Sequence, residues 1–197
     1  VWPVPYTWSH PRAAAWASSV CHESHPSGRK VVILGVGNIL LKDEGIGVHA
    51  AHALQEMSLD EGVEVIDGGT SPDIIPLIEG TDKLIVIDAT LGGEEPGTIY
   101  RFGSEDITVE SAGLVSAHQM SFLENLKTMK GLGIEPREVV IIGVEPKEMD
   151  WGLQPSSELQ ERLPEIVKTV LREVQGRADG FDASPEEGQA LQWAVRQ

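Results

Sequence analysis

From residue 31 onward, short apolar runs alternate with amphipathic stretches, and this alternation constrains the fold more than any other feature of the chain. The apolar runs have the length of strands, whereas the stretches between them repeat apolar side chains at the period of a helix. Alternating strands and helices are typical of a parallel sheet that is covered by helices. We therefore predict an α/β fold, in which a single three-layer domain holds a mostly parallel sheet between helices.

The pattern predicts strands at residues 31–36, 63–67, 83–88, 98–102 and 138–144, and helices at 44–57, 72–79, 116–131 and 156–175. The third strand is nearly all apolar and should be central, because such runs are buried on both faces. The fourth should be an edge strand. We expect Asp43 to cap the first helix, and Ser116 with Gln119 to form a capping box at the third. Pro164 should bend or restart the last helix, because proline lacks a backbone N–H.

The chain of 197 residues is long enough for one domain, and its two ends lack the alternating pattern. Residues 1–29 contain several prolines and no apolar period, which predicts a poorly structured N-terminal extension. Residues 30–175 form the predicted domain. Residues 176–197 are polar and acidic, which predicts a mobile or partly helical C-terminal tail.

Composition argues against several functions and locations. The net charge is −16, with 31 acidic residues against 15 Lys and Arg, so nucleic acid is not an expected partner. Cys21 is the only cysteine, which precludes an intrachain disulfide or a thiolate zinc cage and favours a cytoplasmic location. No apolar run approaches the ~20 residues that cross a bilayer. We expect a monomer with no membrane partner.

Three residues with metal-binding side chains fall where ligands bind in open α/β sheets, at the carboxyl ends of strands. Glu44 follows the first strand, Asp88 ends the third, and His118 lies in the first turn of the third helix. A helix N-terminus disfavours imidazolium, and neutral imidazole is the form that ligates metal. Two carboxylates and one imidazole would suit zinc or nickel, and they leave positions for water or a substrate group.

Each of these residues also has a structural interpretation. A helix dipole favours Glu44 at an N-terminus in any protein, and an acid that ends an apolar strand, such as Asp88, is also satisfied by solvent or a partner. His118 could be a core histidine. Asp67 ends the second strand before two glycines, where it could form a substrate wall, a general base or a tight turn.

His49 and His52 are one turn apart on the first helix, away from its apolar face. We therefore expect both to be exposed to solvent rather than to bind metal.

A nucleotide-binding module is one alternative, because Gly35 and Gly37 follow a strand as in a dinucleotide fingerprint. Leu40 occupies the position of the third glycine, and the acids at 43 and 44 would repel phosphate. No Gly-x-Ser-x-Gly motif or Walker loop is present either. These observations argue against nucleotide binding and against a serine nucleophile of that type.

Four motifs together resemble those of the hydrogenase maturation endopeptidases in order and spacing. They are GVGNILLKDEGIG at 35–47, DGGT at 67–70, VIDA at 86–89 and SAHQ at 116–119. The similarity covers about residues 30–174 and leaves both ends outside it. In that family an acid of the first motif, the strand-ending Asp and the His contact metal, so the resemblance implies these roles for Glu44, Asp88 and His118. It also implies a twisted five-stranded sheet between helices.

The resemblance implies an endopeptidase that removes a C-terminal extension from the large-subunit precursor of a nickel–iron hydrogenase after nickel insertion. Nickel would come with the precursor, although another divalent metal could occupy the site. The three ligands could grasp that nickel to position the scissile bond, or bound metal could activate water. Asp67 is the candidate additional catalytic residue. A noncatalytic maturation chaperone that binds metal or the nickel-loaded precursor is the alternative from another functional class.

Overall fold

The computed structural model describes residues 28–70, 75–103 and 117–176, and within the last range it describes side chains from residue 124 onward. The predicted N-terminal extension and C-terminal tail therefore lie almost entirely outside the described residues. The described residues form one α/β domain, as the alternating pattern predicts.

The sheet has five strands in the order β2-β1-β3-β5-β4. Their bounds are β1 Val31–Val36, β2 Val63–Gly69, β3 Lys83–Ala89, β4 Ile99–Gly103 and β5 Glu138–Val144. Four strands are parallel, and β4 pairs antiparallel with β5 at the edge. The central place of β3 and the edge place of β4 confirm the prediction. The reason is hydrophobic: every residue of β1 and β3 is buried, so both strands require cover on two faces.

The helices are α1 Ile46–Gln55, α2 Ile75–Ile78, α3 Ala117–Leu132 and α4 Ser157–Val174, and a 3₁₀ turn at Lys42–Gly45 precedes α1. Within the described ranges, none of these helices has the length and apolar character to cross a membrane. The predicted first turn of α2 and the proposed Ser116 capping box lie outside the described residues. Ser156 caps α4 by accepting a hydrogen bond from the backbone N–H of Leu159.

Helices cover the sheet on both faces and create two apolar cores. On one face α1 and α4 pack against β1, β3 and β5, with Leu54 and Ile166 fully buried. On the other face α2 and α3 contribute Ile78 and Met129. Each such side chain contributes about 1.5–3 kcal/mol through burial. The apolar face of α4 is wholly buried, and its members are Leu159, Leu163, Ile166, Val167, Val170 and Leu171.

Of the two outcomes expected at Pro164, a bend or a restart, the restart is wrong, because α4 runs through this residue from Ser157 to Val174. Proline removes one backbone donor from the helix, a cost of about 3 kcal/mol in a helix interior. The buried apolar residues on both sides of Pro164 offset that cost by holding α4 against the sheet.

Candidate active site

Glu44 lies in the 3₁₀ turn that follows β1, at the carboxyl edge of the sheet. Two glycines let this turn sit close to the strands. Gly37 has φ +136°, and a Cβ at this position would lie 1.9 Å from the carbonyl oxygen of Glu44. A Cβ on Gly47 would lie 2.1 Å from the carbonyl oxygen of Ile87 in β3. The glycines therefore allow the Glu44 turn to pack closely onto the sheet.

Asp88 is the last residue but one of the central strand β3, and only 1% of its surface is exposed. Its Oδ1 accepts a hydrogen bond from the backbone N–H of Ala89 at 2.9 Å. One oxygen of the Glu44 carboxylate, Oε2, is likewise shielded from solvent. Two carboxylates at one sheet edge, each partly or wholly withdrawn from water, give this edge a strong attraction for cations.

His118 is the second residue of α3, and its side chain lies outside the described residues. Residues 133–137 connect the end of α3 directly to the amino end of β5. The 16 residues of α3 span ~24 Å and the seven of β5 ~23 Å, so α3 is long enough to extend over the length of the strand. A helix of this length that runs antiparallel to β5 can return its first turn to the carboxyl edge, where Glu44 and Asp88 lie.

Among the side chains that the structure describes, no three His, Cys, Asp or Glu residues form a group that could hold a metal ion. The His118 imidazole is not among those side chains. The three-ligand site therefore stays a prediction, of which two carboxylate members lie at the expected edge.

Asp67 lies in β2 and points to the opposite face of the sheet from Asp88. In β3 the residues Leu84 and Val86 belong to the core beneath α3, so Asp88, two positions further, faces the same side. In β2 the residues Val63 and Val65 pack toward α1, and Asp67 continues that row. With β1 between them, the backbones of Asp67 and Asp88 are about 10 Å apart.

The Asp67 carboxylate has two described partners. Its Oδ1 accepts a hydrogen bond from the backbone N–H of Gly69 at 2.9 Å, and its Oδ2 lies 2.8 Å from Nε2 of His52 on α1. The side chain of Asp67 is 40% exposed. Asp67 therefore makes the tight turn considered from sequence, and it stays accessible to water and to a substrate.

The two histidines of α1 differ from each other. His52 is exposed, as predicted, but the expectation for His49 is wrong: it is half-buried, and its Nε2 is shielded without a hydrogen-bond partner in the described residues. Burial lowers the pKa of His49 below the usual value, and the nearby His52 lowers it further. The helical projection misplaced His49 because the chain that covers α1 comes from distant parts of the sequence.

Asp43 is a structural residue whose role the sequence pattern did not reveal. It does not cap α1. Its fully buried carboxylate accepts hydrogen bonds from the backbone N–H groups of Lys147, Glu148 and Ser156, at 2.9, 2.8 and 2.6 Å. Asp43 thereby fastens the segment 147–156 beside the turn that carries Glu44. No local signal could have shown this, because its partners are more than 100 residues away in sequence.

Glu145 organises a second loop at the same edge. Its Oε2 accepts hydrogen bonds from the backbone N–H groups of Gly92 and Gly93, at 2.7 and 3.1 Å, and from the Tyr100 hydroxyl at 2.6 Å. Burial and this carboxylate raise the pKa of Tyr100 well above its usual value. The loop after β3, which follows Asp88, is thus held by side-chain contacts rather than left free.

The fold is that of an α/β protein with acidic residues at the carboxyl edge of its central strands. A family model described as hydrogenase maturation protease matches residues 48–173, a range that includes Asp67, Asp88 and His118 and begins just after Glu44. The chain belongs to the hydrogenase maturation protease family and is accordingly a peptidase.

Known relatives agree with this assignment. The chain is 34% identical over 164 residues to the hydrogenase 2 maturation protease of Escherichia coli, an alignment that covers 80% of this chain and 97% of that protein. It is 32% identical over 165 residues to the hydrogenase expression/formation protein HupD of Rhizobium leguminosarum bv. viciae, covering 82% of each. The solved structure of the hydrogenase maturating endopeptidase HybD from E. coli matches with a TM-score of 0.70 and 28% identity, covering 76% of this chain and 94% of that one.

Proposed function

We propose that this chain is the endopeptidase that removes the C-terminal extension from the large-subunit precursor of a nickel–iron hydrogenase. Its membership of the maturation protease family carries the proposal, since the alignment with the E. coli hydrogenase 2 protease spans nearly all of that enzyme. The two carboxylates at one edge of the sheet provide a site where such a substrate can be recognised.

We propose that Glu44, Asp88 and His118 contact the nickel ion that the precursor already holds. Nickel is then part of the substrate, and its presence reports that metal insertion is complete. Carboxylate and imidazole donors suit a borderline divalent ion, and the burial of Asp88 and the shielding of one Glu44 oxygen strengthen their attraction for it. Another divalent cation can occupy the same donors. A precursor that lacks nickel would present no ion to these residues, so its scissile bond would be positioned less accurately in the site.

The proposed cleavage uses water as the nucleophile, because the chain has no Gly-x-Ser-x-Gly elbow and no cysteine in residues 30–175. Binding of the precursor would fix its scissile carbonyl beside the Glu44 turn, and this positioning is a large part of catalysis. Asp67 is the proposed additional participant, as a general base that takes a proton from the attacking water and then gives it to the leaving amine. Its pairing with His52 would hold the carboxylate in one orientation.

The test is intact mass spectrometry of a nickel-loaded precursor, and of the same precursor without nickel, after incubation with the protein. We expect loss of a C-terminal peptide from the loaded sample only. Cleavage of both samples would retain the peptidase and contradict the nickel checkpoint. Binding without cleavage of either would contradict the peptidase and favour the noncatalytic chaperone.

The catalytic roles need a matched comparison. Glu44→Gln removes one proposed ligand charge, whereas Glu56→Gln removes an exposed charge at the end of α1. Only the first should abolish processing. Asp67→Asn should lower the cleavage rate while binding of the precursor is retained. Equal processing by Glu44→Gln and Glu56→Gln would contradict the proposed site.

We also propose that the protein acts as a monomer in the cytoplasm. The location rests on the single cysteine, which fits a reducing compartment. Light scattering coupled to size-exclusion chromatography would test the monomer, and fractionation of cells that produce the hydrogenase would test the location.

A further inference from the structure

Five large apolar side chains are exposed on two loops beside Glu44. These residues, here called the apolar rim, are Ile39, Leu40, Met149, Trp151 and Leu153, with exposed fractions of 40, 47, 39, 80 and 52%. Exposed tryptophan and leucine side chains in one contiguous group are uncommon on protein surfaces that have no binding role. They are, however, the side chains that anchor protein–protein contacts.

The two loops form one surface because backbone hydrogen bonds join them. Leu41 and Gly152 pair as a parallel bridge. The N–H of Lys42 donates to the carbonyl of Gly152 at 2.9 Å, and the N–H of Gly152 donates to the carbonyl of Leu40 at 3.0 Å. The bridge therefore places Leu40 and the pair Trp151 and Leu153 on adjacent backbone segments.

The surface is also held in place before any partner binds. The buried carboxylate of Asp43 accepts hydrogen bonds from the backbone N–H groups of residues 147, 148 and 156, which holds their loop in place. The Lys42 ammonium pairs with the carboxylates of Glu148 and Asp150 at 2.5 and 2.7 Å. A preorganised surface loses little conformational entropy when it binds, so its apolar contacts contribute more fully to affinity.

The rim is continuous with the candidate active site. Ile39 and Leu40 lie just before the 3₁₀ turn at Lys42–Gly45 that carries Glu44, so the rim borders Glu44 on one side. The rim also carries an acidic border, in which Glu148 and Asp150 outnumber their shared partner Lys42. Apolar side chains with a neighbouring basic residue would match both features.

We propose that the apolar rim docks an apolar, basic-flanked segment of the hydrogenase precursor next to its scissile bond. This inference rests on the proposed function, which names the precursor as substrate. The rim supplies affinity and register, whereas Glu44 and its neighbours act on the bond. Recognition therefore has two parts, the metal-binding residues and an apolar anchor that does not depend on metal.

The experiment measures the affinity of the protein for the nickel-free precursor by calorimetry, which reports docking whether or not cleavage occurs. Trp151→Ser and Leu153→Ser each alter the rim. Leu132→Ser is the matched control, because Leu132 is 65% exposed at the opposite, amino edge of the sheet. We expect each rim variant to weaken binding about tenfold and the control to change it less than twofold. On the loaded precursor, the rim variants should raise KM with kcat nearly unchanged.

Unchanged affinity in both rim variants would overturn the docking proposal, even if wild-type protein cleaves normally. Tight binding without cleavage would contradict the peptidase and leave the docking proposal supported. Measurements of thermal stability and of mass in solution distinguish the other possible occupants of the rim, which are a second copy of the protein and another segment of this chain. A dimer that Trp151→Ser dissociates would assign the rim to a second copy, and a large loss of thermal stability would assign it to another segment of this chain. Either result would overturn the proposal.

Discussion

Replacing Asp43 with alanine should destabilise the protein more than any other single change to an acidic residue at the sheet edge. The carboxylate is fully buried and accepts three backbone hydrogen bonds from residues 147, 148 and 156. Hydrogen bonds to a charged group contribute about 1.5–3 kcal/mol each, so the three together contribute at most roughly 5–9 kcal/mol to the free energy of unfolding. Water can reach the freed N–H groups when the loop opens, which reduces the expected loss of unfolding free energy to about 3–5 kcal/mol.

Urea denaturation followed by circular dichroism measures this loss directly, and Asp60→Ala, an exposed acidic residue before β2, is the control. The loss of unfolding free energy in Asp43→Asn should lie between the losses in Asp43→Ala and Asp60→Ala. An amide can accept hydrogen bonds at only one of its two terminal atoms. The Asp43 variants should also increase the mobility of Trp151, which the difference in tryptophan fluorescence between proteins with and without Trp151 would report, because the chain has five tryptophans. A loss below 1 kcal/mol for Asp43→Ala would refute the view that this residue fastens the rim.

Three further predictions concern the site and its support. Glu44→Gln and Asp88→Asn should abolish processing of the precursor while the thermal unfolding temperature changes little, and mass spectrometry with circular dichroism checks both; unfolding of both variants would assign structural roles to these acids. Gly37→Ala should cost more than about 2 kcal/mol and most of the activity, because its Cβ would meet the Glu44 carbonyl at 1.9 Å. Gly93→Ala, with φ +85° but open space around its Cβ, should cost only about 1 kcal/mol in the same urea titration. For His49, whose pKa is lowered by burial and by His52, the unfolded chain binds a proton more readily than the folded one, so stability present above pH 6.5 is lost as the pH falls toward the lowered value. Between pH 7.5 and 5.5, His49→Gln should reduce this loss by up to about 1.4 kcal/mol, and an equal pH dependence in both proteins would contradict the burial of the imidazole.

Strand positions were predictable where burial on two faces leaves a strong apolar signal. The predicted bounds of β1 and β5 match the structure, and β3 extends one residue further. Helix starts were less predictable. The first helix was expected at residue 44, but a 3₁₀ turn at Lys42–Gly45 comes first, because glycines and the nearby sheet shape this turn.

The candidate site was predictable only in outline. Topology alone brings Glu44 and Asp88 to one edge, since parallel strands share the direction of their carboxyl ends. The face on which Asp67 lies depends on the residues before it in β2, and its pairing with His52 depends on where α1 lies across the sheet. Neither the orientation of Asp67 nor its pairing with His52 can be predicted from the local sequence.

By itself, the sequence determined the α/β class, the order of its strands along the chain and the acids that end them, because these follow from apolar periodicity and from short-range sterics. Only the tertiary structure decided which distant groups meet. Asp43 binds backbone donors more than 100 residues away, and two separate loops combine into the apolar rim. Such contacts depend on the relative positions of packed elements, and a one-dimensional pattern carries no record of those distances.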